Sequence, residues 1–427
     1  MTSSSPPPPV AGPATSVGAS FTAPARAKPG SIFSPAIDLL LVGGLSLIVF
    51  VPLLLSGRSD LVLIGAGAQA WVGTAINMPH FMASYRLVYR DRETIMKHKW
   101  ASIYVPLILI AYIAFAVMEI QYFLPQGCTE AIQANVAGAA CRPLLMTLLI
   151  AIASGYLAWH YTGQVWGMMA SYAYLAGAKF EKSERLLIRT GLRILLAWHV
   201  CWFVYTQLDK PFRGAVRPVY IVVSAGIGLA FLLGAVGLYR MWRRTGMLPP
   251  ARTLVAWIAL FVWYAMMARD PRALFWIQIA HALQYLAFPV RVEINRTLSA
   301  RARGATRLAR HMALYGLALL VVSVVVSQIV PGTAMSIIGN VFGEAPGKSA
   351  PILLLMFINI HHYFTDGVIW KISNPEVRKD LFAHVVSADK TGSAGAGAGG
   401  PGKGSKGGKT AGGKRNAPVS GAAARRV

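Results

Sequence analysis

The chain is poor in charge, poorer still in acid, and almost without cysteine. Of its 427 residues only 13% are charged, against about 25% in soluble globular domains, while 55% are hydrophobic. So little polar material cannot cover so large a surface in water, which excludes a soluble fold and leaves a membrane protein. Acids number 16 against 41 Lys and Arg, a formal charge of +25. That balance would suit nucleic-acid binding if the cations gathered on a folded face. They fall instead between apolar runs and in the C-terminal tail, so no specific nucleic-acid partner is expected. Cys128, Cys141 and Cys201 are too few for a disulfide framework and lack the C-x-x-C spacing of zinc or thiol redox sites. Nucleotide fingerprints, the G-x-S-x-G elbow and a kinase-like motif set are also missing.

The two ends differ from the middle. Residues 1–32 form a Pro/Ser-rich arm in which four consecutive prolines oppose helix and nothing buries enough apolar area to offset ordering entropy. The arm is expected to be disordered, and it does not read as a secretory signal, because Arg26 and Lys28 follow a long polar stretch rather than opening the chain. Residues 386–427 are a Gly/Lys-rich basic tail, also expected to be disordered, whose cations could meet anionic lipid headgroups. Between them, 33–385 reads as one all-α polytopic transmembrane helix bundle. A bilayer core about 30 Å thick needs roughly 20 apolar helical residues. Such windows centre on 36–55, 61–82, 102–123, 144–172, 187–207, 219–239, 253–268, 273–290, 312–330 and 351–370, about ten spans.

Lys and Arg in short loops set orientation. Arg86, Arg90 and Arg92, then Lys179, Lys182, Arg185 and Arg189, then Arg240, Arg243 and Arg244, then Arg291, Arg296 and Arg301 fall on alternate connections, which puts both termini inside. Cys128 and Cys141 then share an outside loop where a disulfide could form, and Cys201 lies within a span as a packing residue.

Ionisable side chains at membrane depth are costly unless they face the bundle interior and find partners. His98, His311 and His384 lie in or beside inside segments. His80, His160, His199, His281, His361 and His362 lie within spans. His80 is followed one turn on by Ser84, His160 by Gln164, His281 by Gln284 and Tyr285, and His362 by Asp366. Apart from His199, which has no such neighbour and reads as aromatic packing, the histidines fall on four spans that run in the same direction. Counting along the helices places His160, His361 and His362 near mid-depth, His80 near the inner end and His281 nearer the outer side. A shared site would take His80, His160, His281, and His361 or His362 as metal ligands. Asp366, Gln164 and Gln284 would orient them, and Tyr285 would donate a hydrogen bond to oxygen or substrate. Neutral imidazoles without thiols suit iron, copper or zinc and not magnesium or calcium. Non-haem iron, a two-histidine-one-carboxylate arrangement using Asp366, and bis-histidine haem all remain open.

The Pro79-His80 pair, His160 on a second helix, His281 with a polar residue one turn on, and His361-x-x-x-x-Asp366 near the end together resemble the Brp/Blh membrane β-carotene dioxygenases. The resemblance rests on four short motifs. It implies a helical bundle whose histidines hold a non-haem iron that cleaves a hydrophobic isoprenoid. The pattern departs at Tyr285, where that family carries a fourth ligand, at Ser84, where it carries an aspartate, and at Gln164. The expected function is thus an iron-dependent oxidoreductase or oxygenase acting on a lipid or isoprenoid in a bacterial cytoplasmic (inner) membrane. The alternatives are a transporter or proton relay through Asp366, or a non-catalytic membrane partner acting through its tail.

Overall fold

A computed structural model describes residues 30–58, 65–134, 143–207, 210–300, 305–370 and 377–385. The N-terminal arm up to residue 29 and the basic tail from 386 lie outside the described residues, as does Cys141; Cys128 is disulfide-bonded and Cys201 is free. The described residues are helical and contain no strand. Ten long helices follow one another: α1 Pro35–Ser56, α2 (Ala66–Val72 running through Gly73–Asn77 into Met78–Val88), α3 Trp100–Phe123, α4 Leu144–Leu175, α5 Lys182–Gln207, α6 Lys210–Thr245, α7 Ala251–Arg269, α8 Ala273–Ala300, α9 (Ala305–Val324, Val325–Ile329 and Val330–Phe342) and α10 Glu344–Ile369.

Among the described residues nine of these are long and apolar enough to cross a bilayer. The remaining one is α2, which carries Gln69, Thr74, Asn77, His80, Ser84 and Arg86. Its length suffices, since at 1.5 Å per residue it extends roughly 34 Å; its composition falls short because it turns polar groups inward. Thr74, His80 and Ser84 are all buried. The most enclosed helices are α7, α8 and α10, whereas α6 and α9 are the least. Leu229, Leu232, Leu317 and Val321 accordingly stand exposed on the outer helices, as lipid-facing residues do.

The charged helix ends meet at one side of the bundle. Arg86 at the end of α2 donates to Glu293 of α8 at 2.9 Å, and His311 of α9 contacts the same carboxylate at 2.7 Å. Arg252 at the start of α7 reaches the fully buried Asp38 near the start of α1 at 3.4 Å, while Asp38 also accepts from the backbone N–H groups of Ile32 and Phe33. Arg244 at the end of α6 binds Glu184 near the start of α5. Arg296 pairs with Asp380 of the 377–385 helix. These are the ends that the loop charges assign to the inside, and their joining closes the bundle on that side. Between α2 and α3, Asp91 caps the short helix Arg92–Lys97 by accepting from Thr94 N–H, and this bond together with neighbouring Arg90 holds its carboxyl below the usual range.

The first helix is broken. Gly43 has φ +140°, outside helical space, within the turn Leu40–Gly44. The break is stabilised by Gln284 of α8, whose amide donates to the Val42 carbonyl at 2.6 Å. A methyl group at Gly43 would stand 2.6 Å from Ala259 Cβ as well as in a conformation that side chains rarely adopt. Gly43→Ala should therefore cost roughly 2–4 kcal/mol through strain and overpacking together. A fall of several degrees in the thermal midpoint would be seen, while an unchanged midpoint would show that the break is not required.

Candidate metal centre

Each of four helices contributes one buried imidazole to a single cluster. His80 of α2, His160 of α4, His281 of α8 and His362 of α10 are 1%, 4%, 3% and 0% exposed. Their rings form a closed cycle: His80 to His281 at 5.5 Å between centroids, His281 to His160 at 4.7 Å, His160 to His362 at 4.9 Å, and His362 back to His80 at 4.6 Å. The nitrogens come closer still. His160 Nε2 lies 2.8 Å from His281 Nε2, and His80 Nε2 lies 3.2 Å from His362 Nε2. Ligand nitrogens about 2.1 Å from one ion sit roughly 3.0–3.4 Å from each other at right-angled or tetrahedral coordination. The observed separations are close to that range.

Counting along the helices separated His80 from His281 in depth, yet their rings meet. Both helices run further inward than the apolar windows suggested, α2 to Val88 and α8 to Ala300, so neither window end marked the membrane surface. The turn Gly73–Asn77 is a π-turn, a wider turn often found beside functional groups. It delivers the Asn77 carbonyl to the ring of His80.

Proton positions follow from the partners. The Asn77 carbonyl can only accept, so His80 carries its proton on Nδ1 and presents a lone pair at Nε2. Ser84 Oγ lies 2.9 Å from Asp366 Oδ1, 3.0 Å from His362 Nδ1 and 2.6 Å from the Tyr285 hydroxyl, with one proton to share among them; where it goes to Asp366, the serine oxygen accepts from His362 Nδ1. His362 Nε2 lies 3.2 Å from His80 Nε2 and 3.5 Å from Asp366 Oδ2. With His362 protonated on Nε2 the two Nε2 atoms, 3.2 Å apart, share a hydrogen bond; with it protonated on Nδ1 both present lone pairs that a shared cation would bind. His160 turns Nδ1 toward Asp366 Oδ2 at 3.6 Å and Nε2 toward His281. The donor set and its spacing therefore fit a transition-metal ion held through Nε2 atoms. Two overlapping groups have the reach to hold one, His80 with His160 and His281, and His160 with His362 and Asp366. A void of about 10 Å³ bounded by His80, His160, His281, Tyr161 and Tyr363 is the size of one water molecule.

Asp366 is the hub on the inner side of the ring. Besides Ser84, the Tyr285 hydroxyl donates to it at 2.8 Å, and Trp370 Nε1 donates to that hydroxyl in turn at 2.7 Å. Tyr285 thus spends its proton on Asp366 and not on a ligand at the ring. The two glutamines do not touch an imidazole. Gln164 donates to the backbone carbonyl of His281 at 3.2 Å and approaches Gln284 Oε1 at 3.4 Å, while Gln284 closes the break in α1. His361 points away from the cluster. Its Nε2 lies 3.0 Å from the Ala101 carbonyl and 3.1 Å from the Tyr89 hydroxyl, and its ring stacks on Tyr85. His199 packs against Trp202 and Tyr264 and bonds the Tyr264 hydroxyl. Sequence reasoning missed Trp370 and Tyr161. Tyr161 is fully buried 4.5 Å from the His281 ring, and its hydroxyl and His281 Nδ1 have no hydrogen-bond partner among the described residues.

A larger cavity of about 340 Å³ reaches the ring from the side, bounded by His160, Gln164, Tyr285, Asp366, Trp166 and Trp370 among others. Gly163 and Gly167 border it, and a methyl group at either would meet nothing within 4 Å. Comparison of the chain with protein-family models, curated proteins and solved structures finds no match.

Replacing Asp366 by Asn removes the charged acceptor behind two imidazoles, so affinity for an added divalent transition metal should fall about 10–100-fold. His361→Ala should leave it unchanged. A competition titration with a chromophoric chelator reads both, and equal losses in the two variants would show that the cluster is not the binding site.

Proposed function

We propose that this chain is an integral-membrane, non-haem iron oxidoreductase or oxygenase that acts on a lipid or isoprenoid. The observation that carries the reading is the closed cycle of four buried imidazoles on four separate helices. Nε2 of His80, His160, His281 and His362 would hold the ion. An all-imidazole set suits iron, copper or zinc and lacks the hard oxygens that magnesium and calcium require. A bare ion is favoured over bis-histidine haem, because ring nitrogens 2.8 and 3.2 Å apart leave no slot for a macrocycle. When bound, iron would supply redox chemistry toward dioxygen and an unsaturated or aliphatic carbon. The resemblance of the histidine motifs to the β-carotene dioxygenases supports the same class, with His362 available for the place that Tyr285 leaves in that pattern.

The protein's own groups would act around that ion. Asp366, held by Ser84 and Tyr285, would draw the Ser84 proton and so favour the His362 tautomer whose Nε2 is free to hold the ion. Trp370 fixes the Tyr285 hydroxyl, which prevents it from turning toward the ring. The walls of Trp159, Trp166, Phe288 and Trp370 would seat an apolar substrate beside His160 and exclude water from it.

Protein purified in detergent should contain near-stoichiometric iron, and His281→Ala or His362→Ala should each lose most of it together with any dioxygen uptake on isoprenoid or fatty substrates. Metal-free protein that keeps the thermal stability of the wild type would reject the proposal. Flux of protons or solutes in proteoliposomes that disappears in Asp366→Asn would favour a relay instead.

A further inference from the structure

The exposed face of α5 carries a row of cations whose last member, Arg193, lies beyond the inside connection that sets orientation. Arg185, Arg189 and Arg193 stand at i, i+4 and i+8, so they share one face, and all three are exposed. Arg193 lies about 9 Å along the helix beyond residue 187, where the apolar part of α5 begins. None of the three has a carboxylate partner among the described residues, and the acids at the start of the helix are taken, since Arg244 binds both Glu181 and Glu184. Arginines that flank the inner edge of the apolar part of a helix without a carboxylate partner are placed to meet an anion, and at that edge the membrane offers one as a headgroup.

The row adjoins the cavity that reaches the ring. Arg189 borders it together with Trp166, Gly167 and Ser171 of α4 and Leu381 of the 377–385 helix, while His160 and Asp366 stand at its deep end. From Ser171 back to His160 the cavity follows α4 for roughly 16 Å. One end is cationic, the walls are aromatic, and Gly163 and Gly167 keep the passage open.

We propose that this cavity takes a single-chain anionic lipid, with its carboxylate or phosphate held by Arg189 between Arg185 and Arg193 and its tail laid along Gly163 and Gly167 toward His160. The identity of this lipid as substrate rests on the metalloenzyme reading; its binding does not. Since the cation lies at the outer end and the Asp366 carboxyl at the deep end, an anionic headgroup is favoured outermost, which presents carbons well down the tail to the imidazole ring and leaves the headgroup untouched by the chemistry.

The test uses the full chain in an uncharged detergent and a long-chain fatty acid brominated at mid-chain, because bromine quenches nearby indoles. Trp159, Trp166 and Trp370 line the cavity, so saturable quenching should not exceed the share of these three among the chain's 11 tryptophans. The brominated alcohol of equal length should bind at least about tenfold more weakly. Arg189→Gln combined with Arg193→Gln should bring the acid to the level of the alcohol, Arg189→Lys should retain most of the preference, and Gly167→Leu should abolish quenching by both. Equal binding of acid and alcohol by the wild type overturns the proposal without recourse to any variant. Displacement of the acid by millimolar inorganic phosphate, independent of chain length, would assign the arginines to a free anion and overturn it too. Iron measured on the same samples separates the two readings: iron-free protein that still prefers the acid defeats the enzyme and spares the lipid site, and iron-loaded protein without preference does the reverse.

Discussion

Everything at the centre of this bundle depends on where four imidazole protons can go. In water, each ring would find a solvent partner for both nitrogens. Buried at 0–4% exposure, the rings must use one another and the few acceptors around them. The Asn77 carbonyl takes the proton of His80, while His362 can place its own toward the Ser84 oxygen through Nδ1 or toward His80 through Nε2. In the first case His80 and His362 turn a pair of lone pairs inward. Lone pairs so placed in a low-dielectric interior would be stabilised by a shared cation, so the tautomer of His362 bears on the chemistry as much as the count of histidines does.

The class of fold was legible because bilayer thickness sets helix length directly. Nine of the ten expected spans coincide with helices apolar enough to cross, and the second was read in spite of its polarity, as α2. Boundaries were less legible: α9 continues to Phe342 and α8 to Ala300, since amphipathic ends carry no change in hydropathy at the point where a helix leaves the membrane. At the site, the helices of His80, His160, His281 and the His361-His362 pair were all identified, but which member of the pair faces the ring was not. Adjacent residues differ by about 100° around a helix, and only packing against Tyr85 and the Ala101 carbonyl turns His361 outward. Backbone acceptors such as Asn77 carry no sequence signal. Trp370 lies beyond the apolar part of α10, where an aromatic reads as an interface anchor.

The glutamines show a related limit. Spacing placed Gln164 and Gln284 on the histidine-bearing faces of their helices, which is where they are, but not what they bind. Gln284 serves the broken first helix, and that break is itself invisible in the run Leu40-Leu41-Val42-Gly43-Gly44, which reads as one more apolar turn. A carbonyl freed inside a membrane cannot turn to water. A side chain from a neighbouring helix must meet it, and the requirement consumes a polar residue that would otherwise look catalytic.

That use of Gln284 connects the edge of the bundle to its centre. Gln284 holds Val42 on one side and approaches Gln164 on the other, and Gln164 in turn holds the backbone of His281. The same stretch of α8 therefore carries a ligand candidate at His281, a brace for α1 at Gln284 and the tyrosine that binds Asp366 at Tyr285. The brace and the tyrosine follow the histidine by one turn, so any rotation of α8 about its axis would disturb all three contacts together. The centre is accordingly preorganised by the packing of whole helices, with its rigidity drawn from the aromatic core around Trp263, Tyr161 and Tyr264. The cavity beside it is bordered by Gly163, Gly167 and Gly367. Rigidly held imidazoles next to a roomy, glycine-faced chamber would suit the proposed chemistry, in which the centre stays fixed while a long apolar molecule is seated beside it.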